Sequence, residues 1–235
     1  MKTTCSASSS RWTVFVTPAM LVCLASANAE PLISNSDQPI GGIPTVYSGQ
    51  WVAAPFQTGA DPSRLDSIAL YEMTGLGTPA GSFSVSIWGG LAGHPGALLA
   101  GGTLSGPSAP LGQGLQTYSS ATGIPLLPNT EYWVVASSDV ADWSDAYNWA
   151  AADTAGFDTA YGWQFFDHYD LTSDQGATWM QAGGIDFGFG PQLLEIDGTI
   201  VPEPSVCALL AAGTAQLLVL KARRREPHRA ADNQC

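Results

Sequence analysis

Residues 82–88, Ser-Phe-Ser-Val-Ser-Ile-Trp, alternate polar and apolar side chains, so Phe83, Val85 and Ile87 share one face of an extended chain. This period of two is typical of a β-strand with one buried face. Residues 131–136, Glu-Tyr-Trp-Val-Val-Ala, are apolar on both faces and predict a central strand of a sandwich. Residues 193–200 read as a further strand that closes the domain.

Turn signals separate these runs, and the segment from Glu30 to Ile200 contains no long stretch of apolar residues at helical period. Short strands at this spacing predict an all-β fold, an antiparallel β-sandwich of jelly-roll type. We expect an N-terminal signal peptide and a single C-terminal apolar helix to flank it. The turn signals are Gly41-Gly42, Gly89-Gly90, His94-Pro95-Gly96, residues 127–130 and Gly183-Gly184.

Charge is distributed unevenly along the 235 residues. Seventeen of the twenty acidic residues lie between Glu30 and Ile200, whereas Arg64 is the only one of the eight basic residues found there. Such a domain repels phosphate backbones, so the sequence predicts no nucleic-acid partner.

All four cysteines also lie outside the segment from Glu30 to Ile200, which excludes a cysteine nucleophile or a thiolate metal site within it.

Residues 1–29 have the features of a secretory signal peptide. A short basic region precedes an apolar stretch from Trp12 to Ala25, and Ala27-Asn28-Ala29 supplies the small-x-small cleavage pattern. An uncleaved anchor is the alternative, but the apolar run is shorter than the ~20 residues that span a membrane. We therefore expect the export translocon and a signal peptidase to process the chain after Ala29.

The C-terminal region has three parts: Val201-Pro202-Glu203-Pro204-Ser205, an uncharged stretch that runs to Leu220, and a basic cluster of Lys221, Arg223, Arg224 and Arg225. The uncharged stretch is marginal for a hydrocarbon core of ~30 Å, and the positive-inside rule keeps the basic cluster cytoplasmic. A plain membrane anchor and a C-terminal helix of the fold are the alternatives. The prolines separate this helix from the preceding strand, which argues against the second.

These three parts together resemble the PEP-CTERM sorting signal of Gram-negative bacteria, in which an exosortase-type transmembrane protease is thought to act at the Pro-Glu-Pro motif. The resemblance covers residues 201–225, and residues 226–235 form a polar tail beyond it. It implies a transient single-pass anchor in the inner membrane, followed by release or attachment at the cell surface.

Residues 30–200, the expected ectodomain, resemble the choice-of-anchor family of bacterial surface domains, in particular type R. The similarity runs through Phe56-Gln57-Thr58-Gly59, residues 65–68, residues 83–100 and residues 126–137, and it ends at Gly176-Ala177-Thr178-Trp179. The family implies a β-rich extracellular module and carries no established catalytic activity.

Catalytic motifs are absent from the sequence of the ectodomain. His94 lies in a Pro-Gly turn and His168 lies among aromatic residues, with no G-x-S-x-G or H-E-x-x-H pattern near either. We expect both to be surface or turn residues. Two of the many carboxylates could form a glycosidase pair, but the sequence does not select one.

The acidic, aromatic-rich stretch from Asp139 to Trp149 is the best candidate for a binding site. Asp139, Asp142 and Asp145 offer the oxygen ligands that Ca²⁺ prefers, and Trp143 and Trp149 offer faces that stack on sugar rings. The alternative is that these acids are solvated loop charges and the aromatic rings cap the sandwich.

The sequence therefore predicts an exported, non-enzymatic structural or adhesive protein of the bacterial envelope or extracellular matrix, sorted by its C-terminal signal. The competing prediction is a carbohydrate-binding or hydrolytic protein that acts on extracellular polysaccharide, with or without calcium. Trp163 and Trp179, together with Trp143 and Trp149, motivate that second prediction.

Overall fold

The alternating run at 82–88 and the apolar run at 131–136 form two neighbouring strands, Phe83–Leu91 and Glu131–Ser138. These strands come from a computed structural model that describes residues 30–74, 81–109, 112–154, 156–182 and 190–201, with 212–213, 216–217 and 220–221. The first strand buries Phe83, Val85 and Ile87, as the alternation predicts. The second is buried along most of its length because it lies in the middle of a sheet whose other face is also covered.

Sixteen strands and one short 3-10 helix (Trp143–Asp145) make up the described secondary structure of residues 30–200. In chain order the strands are β1 (Glu30–Ser34), β2 (Ile40–Gly42), β3 (Thr45–Val46), β4 (Trp51–Gln57), β5 (Ser63–Thr74), β6 (Phe83–Leu91), β7 (His94–Thr103), β8 (Gly114–Leu126), β9 (Glu131–Ser138), β10 (Tyr147–Trp149), β11 (Ala151–Ala152), β12 (Asp158–Thr159), β13 (Gln164–Phe165), β14 (Asp170–Thr172), β15 (Met180–Gln181) and β16 (Leu194–Ile200).

The strands form two seven-stranded antiparallel sheets and a small β2–β11 pair. Sheet I has the order β12-β1-β16-β5-β10-β3, with β8 on the other side of β5. Sheet II has the order β15-β14-β4-β9-β6-β7, and β13 also pairs with β4. In sheet I, β5 pairs with β8 along one side and with both β16 and β10 along the other. In sheet II, β4 pairs with β9 along one side and with both β14 and β13 along the other.

One apolar core fills the space between the sheets. Sheet I contributes Ile68 and Ile196, and sheet II contributes Phe56 and Val134, all of them fully buried. Because side chains alternate along a strand, the neighbours of these residues on sheet II point to the opposite side, which we call the outer face. That outer face carries the polar and aromatic residues described in the next section.

Glu72 is a buried carboxyl group at the end of this core. It lies on β5 and is only 2% exposed, and its Oε1 accepts a hydrogen bond of 2.6 Å from the Tyr118 hydroxyl. Its second oxygen, Oε2, has no hydrogen-bond partner among the described residues. Burial raises the pKa of Glu72 to about 8, and the bond from Tyr118 opposes that rise. The group is therefore mostly protonated at neutral pH.

The prediction of an all-β, antiparallel fold is confirmed. The predicted signal peptide with Ala27 and Ala29, the motif residues Pro202 to Ser205, the basic residues Arg223 to Arg225, and the tail 226–235 lie outside the described residues.

At the boundary of the predicted sorting signal, Val201 is exposed and its N–H donates to the Pro62 carbonyl. Residues 212–213, 216–217 and 220–221, which include Lys221, are helical and exposed. In the described part of the chain, no helix combines the length and the apolar character needed to cross a membrane.

Candidate binding site on the outer face of sheet II

Four tryptophans cover the middle of the outer face of sheet II. Trp133 is fully buried there with Ala53 and Val135, and Trp51, Trp88 and Trp179 pack against this cluster. The rings of Trp88 and Trp179 meet edge to face, with centroids 6.0 Å apart. This aromatic layer forms a second, smaller apolar cluster, which explains why β9 is apolar on both faces.

The turn between β14 and β15 lies over this layer and is organised by Asp174. Its Oδ1 accepts from the Thr172 hydroxyl at 2.6 Å and the Thr178 N–H at 2.8 Å, and its Oδ2 accepts from the Thr178 hydroxyl at 2.6 Å. These bonds lower the pKa of Asp174 to about 2. Gly176 has φ +91°, and a Cβ atom there would lie 3.0 Å from Trp88, so only glycine lets the turn approach the rings this closely.

A polar groove of about 280 Å³ opens beside the aromatic layer, and we call it the serine groove. It lies where β4 and β6 begin and β9 ends, because Ser84 pairs with Ser137 across the sheet. The Ser84 and Ser137 hydroxyl oxygens are 2.8 Å apart and exposed. Its lining consists of Trp51, Asp139, Gln175 and the serines at positions 48, 82, 84, 137 and 138.

Asp139 supplies the negative charge of the groove. It follows β9 directly, and its carboxylate accepts hydrogen bonds from Ser82, at 2.5 Å from the backbone N–H and 2.9 Å from the hydroxyl. These bonds favour the charged form and lower the pKa of Asp139, so the group is ionised at neutral pH. Both oxygens accept a bond from Ser82, and the side chain is at an exposed position, which leaves part of the acceptor capacity of the carboxylate open.

The described residues that line the serine groove include no Lys or Arg. Arg64 lies on β5 in sheet I, where it donates to Asp66 at 2.9 Å. Two other cavities, of about 290 and 430 Å³, have mostly neutral linings in which Tyr169 is the one ionisable side chain among the described residues. Of these three cavities, the serine groove therefore has the clearest polar chemistry.

A histidine–carboxylate pair holds another part of the outer face. His94 Nδ1 lies 2.6 Å from Oδ2 of Asp170, which is fully buried. Asp170 Oδ1 has no partner in the described part of the chain. Burial raises the pKa of Asp170, and the bond from His94 opposes this effect. The contact joins the start of β7 to β14, although β4, β9 and β6 lie between these two strands in the sheet.

His168 lies near this pair. Its ring meets the buried Trp133 ring at 5.8 Å, and the Trp133 N–H donates to Glu131 at 2.9 Å. The side chain of His94 is 43% exposed at the β6–β7 hairpin, in agreement with the expected surface or turn position, and it is in addition the partner of a buried carboxyl.

The acidic residues predicted to bind calcium have separate local roles. Asp139 binds Ser82, whereas Asp142 caps the 3-10 helix by accepting from the Ser144 N–H and hydroxyl, both at 2.9 Å. Asp145 lies within that helix, and its N–H donates to the Asp142 carbonyl. Among the described residues, no three His, Cys, Asp or Glu side chains are close enough together to hold a metal ion.

The two predicted ligand-binding tryptophans differ in exposure. Trp143 is 66% exposed, whereas Trp149 is fully buried and donates from Nε1 to the Leu193 carbonyl at 2.9 Å. The expectation that Trp149 stacks on a ligand is wrong in this structure, because β10 inserts between β3 and β5 and turns the ring into the core. Trp163 is also buried, where it stacks on Phe56.

Sequence reasoning missed Trp51 and the serines of the groove. The alternation at 82–88 does show that Ser84 and Ser86 face away from the core, so part of the signal is present. It does not show that Ser84 lines one groove with Ser137, Asp139 and Trp51, because that depends on strand order and register.

Searches of family models and of curated proteins found no match to this chain.

Proposed function

We propose that this chain is an exported bacterial surface protein with no catalytic activity of its own. In this proposal its sandwich, of jelly-roll type, acts as a structural or adhesive module at the cell envelope or in the extracellular matrix. The combination of leader and tail carries the proposal: residues 1–29 direct export, and residues 201–225 combine Pro-Glu-Pro, an apolar helix and a basic cluster.

The chemistry of residues 30–200 is compatible with display outside the cell. Their excess of acidic residues disfavours contact with nucleic acid, and a domain of this size can rely on an apolar core, so the absence of cysteines does not argue against export. The chain first remains in the inner membrane through its apolar segment, and an exosortase-type protease then acts at the Pro-Glu-Pro motif.

Intact mass spectrometry of the protein at the cell surface tests this sorting step. We expect a C-terminus between Pro202 and Ser205, and we expect the Glu203→Ala variant to stay uncleaved and membrane-bound. The matched control is Glu226→Ala, which changes the same residue type outside the motif and should be processed normally. A surface protein whose mass includes Arg225 would contradict the sorting proposal and leave a plain membrane anchor.

Binding to an extracellular polysaccharide is the second candidate function, and the serine groove favours it. The groove combines an aromatic wall, several hydroxyls and one carboxylate, which is the kind of lining that orients a polar ligand. Hydrolysis has less support there, because a glycosidase needs two carboxyl groups and Asp139 is the only one among the described lining residues.

A further inference from the structure

We propose that the serine groove binds a single neutral sugar ring of an extracellular polysaccharide. The inference rests on the proposed display of the sandwich outside the cell, because it gives the displayed domain its ligand. It replaces the predicted site at Trp143 and Trp149 by a different set of residues centred on Trp51 and Asp139.

Asp139 provides the main polar contact. A carboxylate has about four acceptor positions, and the backbone N–H and the hydroxyl of Ser82 occupy one on each oxygen. The same two bonds fix the orientation of the group, so little side-chain freedom is lost when a ligand binds. Two neighbouring hydroxyls of a sugar can then each donate to one oxygen of Asp139.

Trp51 provides the apolar wall. The ring is held by the aromatic layer behind it, because Trp51 packs on the buried Trp133 cluster and beneath the turn that contains Gly176. A sugar ring has an apolar face of C–H groups that packs on an indole ring. The ring of Trp51 therefore sets the plane of the sugar, and the carboxylate of Asp139 sets which edge of the sugar points toward it.

The size and the remaining polar groups restrict the ligand to about one ring. The volume of about 280 Å³ lies at the lower end of small-molecule sites. Ser84 and Ser137 expose hydroxyls that bond to each other and keep capacity to donate or accept. Gln175, in the β14–β15 turn with φ +61°, adds an amide to the lining.

Charge decides which sugars fit. Asp139 is ionised at neutral pH, and no Lys or Arg lies among the described lining residues. A uronate or a sulfated sugar would place a second negative charge beside Asp139 without a cation to offset it. The groove therefore selects neutral sugars over anionic ones.

Affinity electrophoresis of the full chain tests this inference, in a detergent without a sugar headgroup so that the detergent does not compete. The gels contain a neutral glucan, mannan or galactan, or alginate as the anionic polysaccharide, each with and without EDTA. We expect retardation by at least one neutral polysaccharide, weaker retardation by alginate, and no effect of EDTA.

Substitutions in the groove locate the site. Asp139→Asn and Trp51→Phe should each weaken retention by about tenfold, because the first removes the charge and one acceptor oxygen and the second removes part of the apolar wall. The controls are Asp142→Asn, an aspartate with the same serine partnership outside the groove, and Trp143→Phe, an exposed tryptophan; both should bind like the wild type. Thermal unfolding of each variant checks that the fold is kept; Asp139→Asn keeps one of the two acceptor oxygens for Ser82 and should lower the midpoint only slightly.

Several results would overturn the inference: no retention by any of the neutral polysaccharides, normal retention of Asp139→Asn, equal losses in Asp142→Asn, or preference for alginate. These outcomes are independent of the mass measurement at residues 202–205. If the protein is cleaved normally but binds no sugar, the sorting proposal stands and the proposed sugar ligand is rejected.

Discussion

Replacing Glu72 by Gln should remove a large part of the pH dependence of folding stability. Glu72 is buried on the inner face of β5, and its pKa is raised from 4.5 to about 8 because burial disfavours the charged form. Gln has almost the same shape and keeps an oxygen that accepts from the Tyr118 hydroxyl, but it does not titrate. The variant therefore changes the ionisation and little else.

The sign and size of the effect follow from the two pKa values. The native state holds a proton on Glu72 that the unfolded chain releases above about pH 4.5. The contribution of Glu72 to the free energy of unfolding is therefore highest below that pH and falls as the pH rises toward 8. The slope is about 1.4 kcal/mol per pH unit, and the whole interval amounts to roughly 4–5 kcal/mol. Total stabilities of domains are about 5–15 kcal/mol, so this loss is readily measured.

Urea unfolding of the wild type and Glu72→Gln at several pH values between 5 and 8 measures this contribution. Between pH 5.5 and 7.5 the difference in unfolding free energy should shift by roughly 2–3 kcal/mol in favour of the variant. Other groups titrate equally in both proteins, so the difference isolates Glu72.

Tyr118→Phe gives a second check on the same carboxyl group. It removes the hydrogen bond that lowers the pKa of Glu72, so the fall in stability should continue to higher pH than in the wild type.

Parallel pH profiles for the wild type and Glu72→Gln would refute the reasoning, because they would mean that Glu72 ionises in the native state as easily as in the unfolded chain.

Two further predictions concern the outer face of sheet II. Asp174→Asn should loosen the turn above the aromatic layer, because an amide nitrogen cannot accept from Thr178; tryptophan fluorescence should shift to the red and become more accessible to a soluble quencher. In the wild type the low pKa of Asp174 means that this turn should persist as the pH falls and open only toward pH 2, and opening near pH 4 would contradict it. His94→Ala should destabilise the protein more than Asp170→Asn, by about 1–2 kcal/mol in chemical unfolding at pH 7, because it leaves the buried Asp170 carboxyl without its partner. Equal losses in the two variants would mean that the pair contributes little.

The strands with clear alternation were predictable because the information is local. Phe83, Val85 and Ile87 follow each other at a period of two, and this spacing alone places them on one buried face. The doubly apolar run at 131–136 was equally informative, since burial on both faces requires a central position. The run does not indicate which residues cover its second face. In the structure these are Trp51, Trp88 and Trp179.

The residues of the candidate site were predicted only in part. Asp139 was selected from the acidic stretch, but its partner Ser82 is 57 residues away in sequence. Trp143 and Trp149 looked equivalent, yet one is exposed and the other is buried, because pairing of β10 with β5 decides which ring enters the core. Composition in a loop gives residue types, whereas exposure depends on the elements that pack against them.

The sequence by itself determined the all-β class of the fold and the acidic character of residues 30–200, because each depends on composition or on spacing within a short window. It also predicts a leader and a sorting signal at the two ends, and these stay predictions. The tertiary structure decided which side chains come together: His94 bonds to Asp170, 76 residues apart, and Trp51 and Asp139 line the same groove. These contacts depend on strand order and register, and a shift of one residue in register would turn every side chain of a strand to the opposite face.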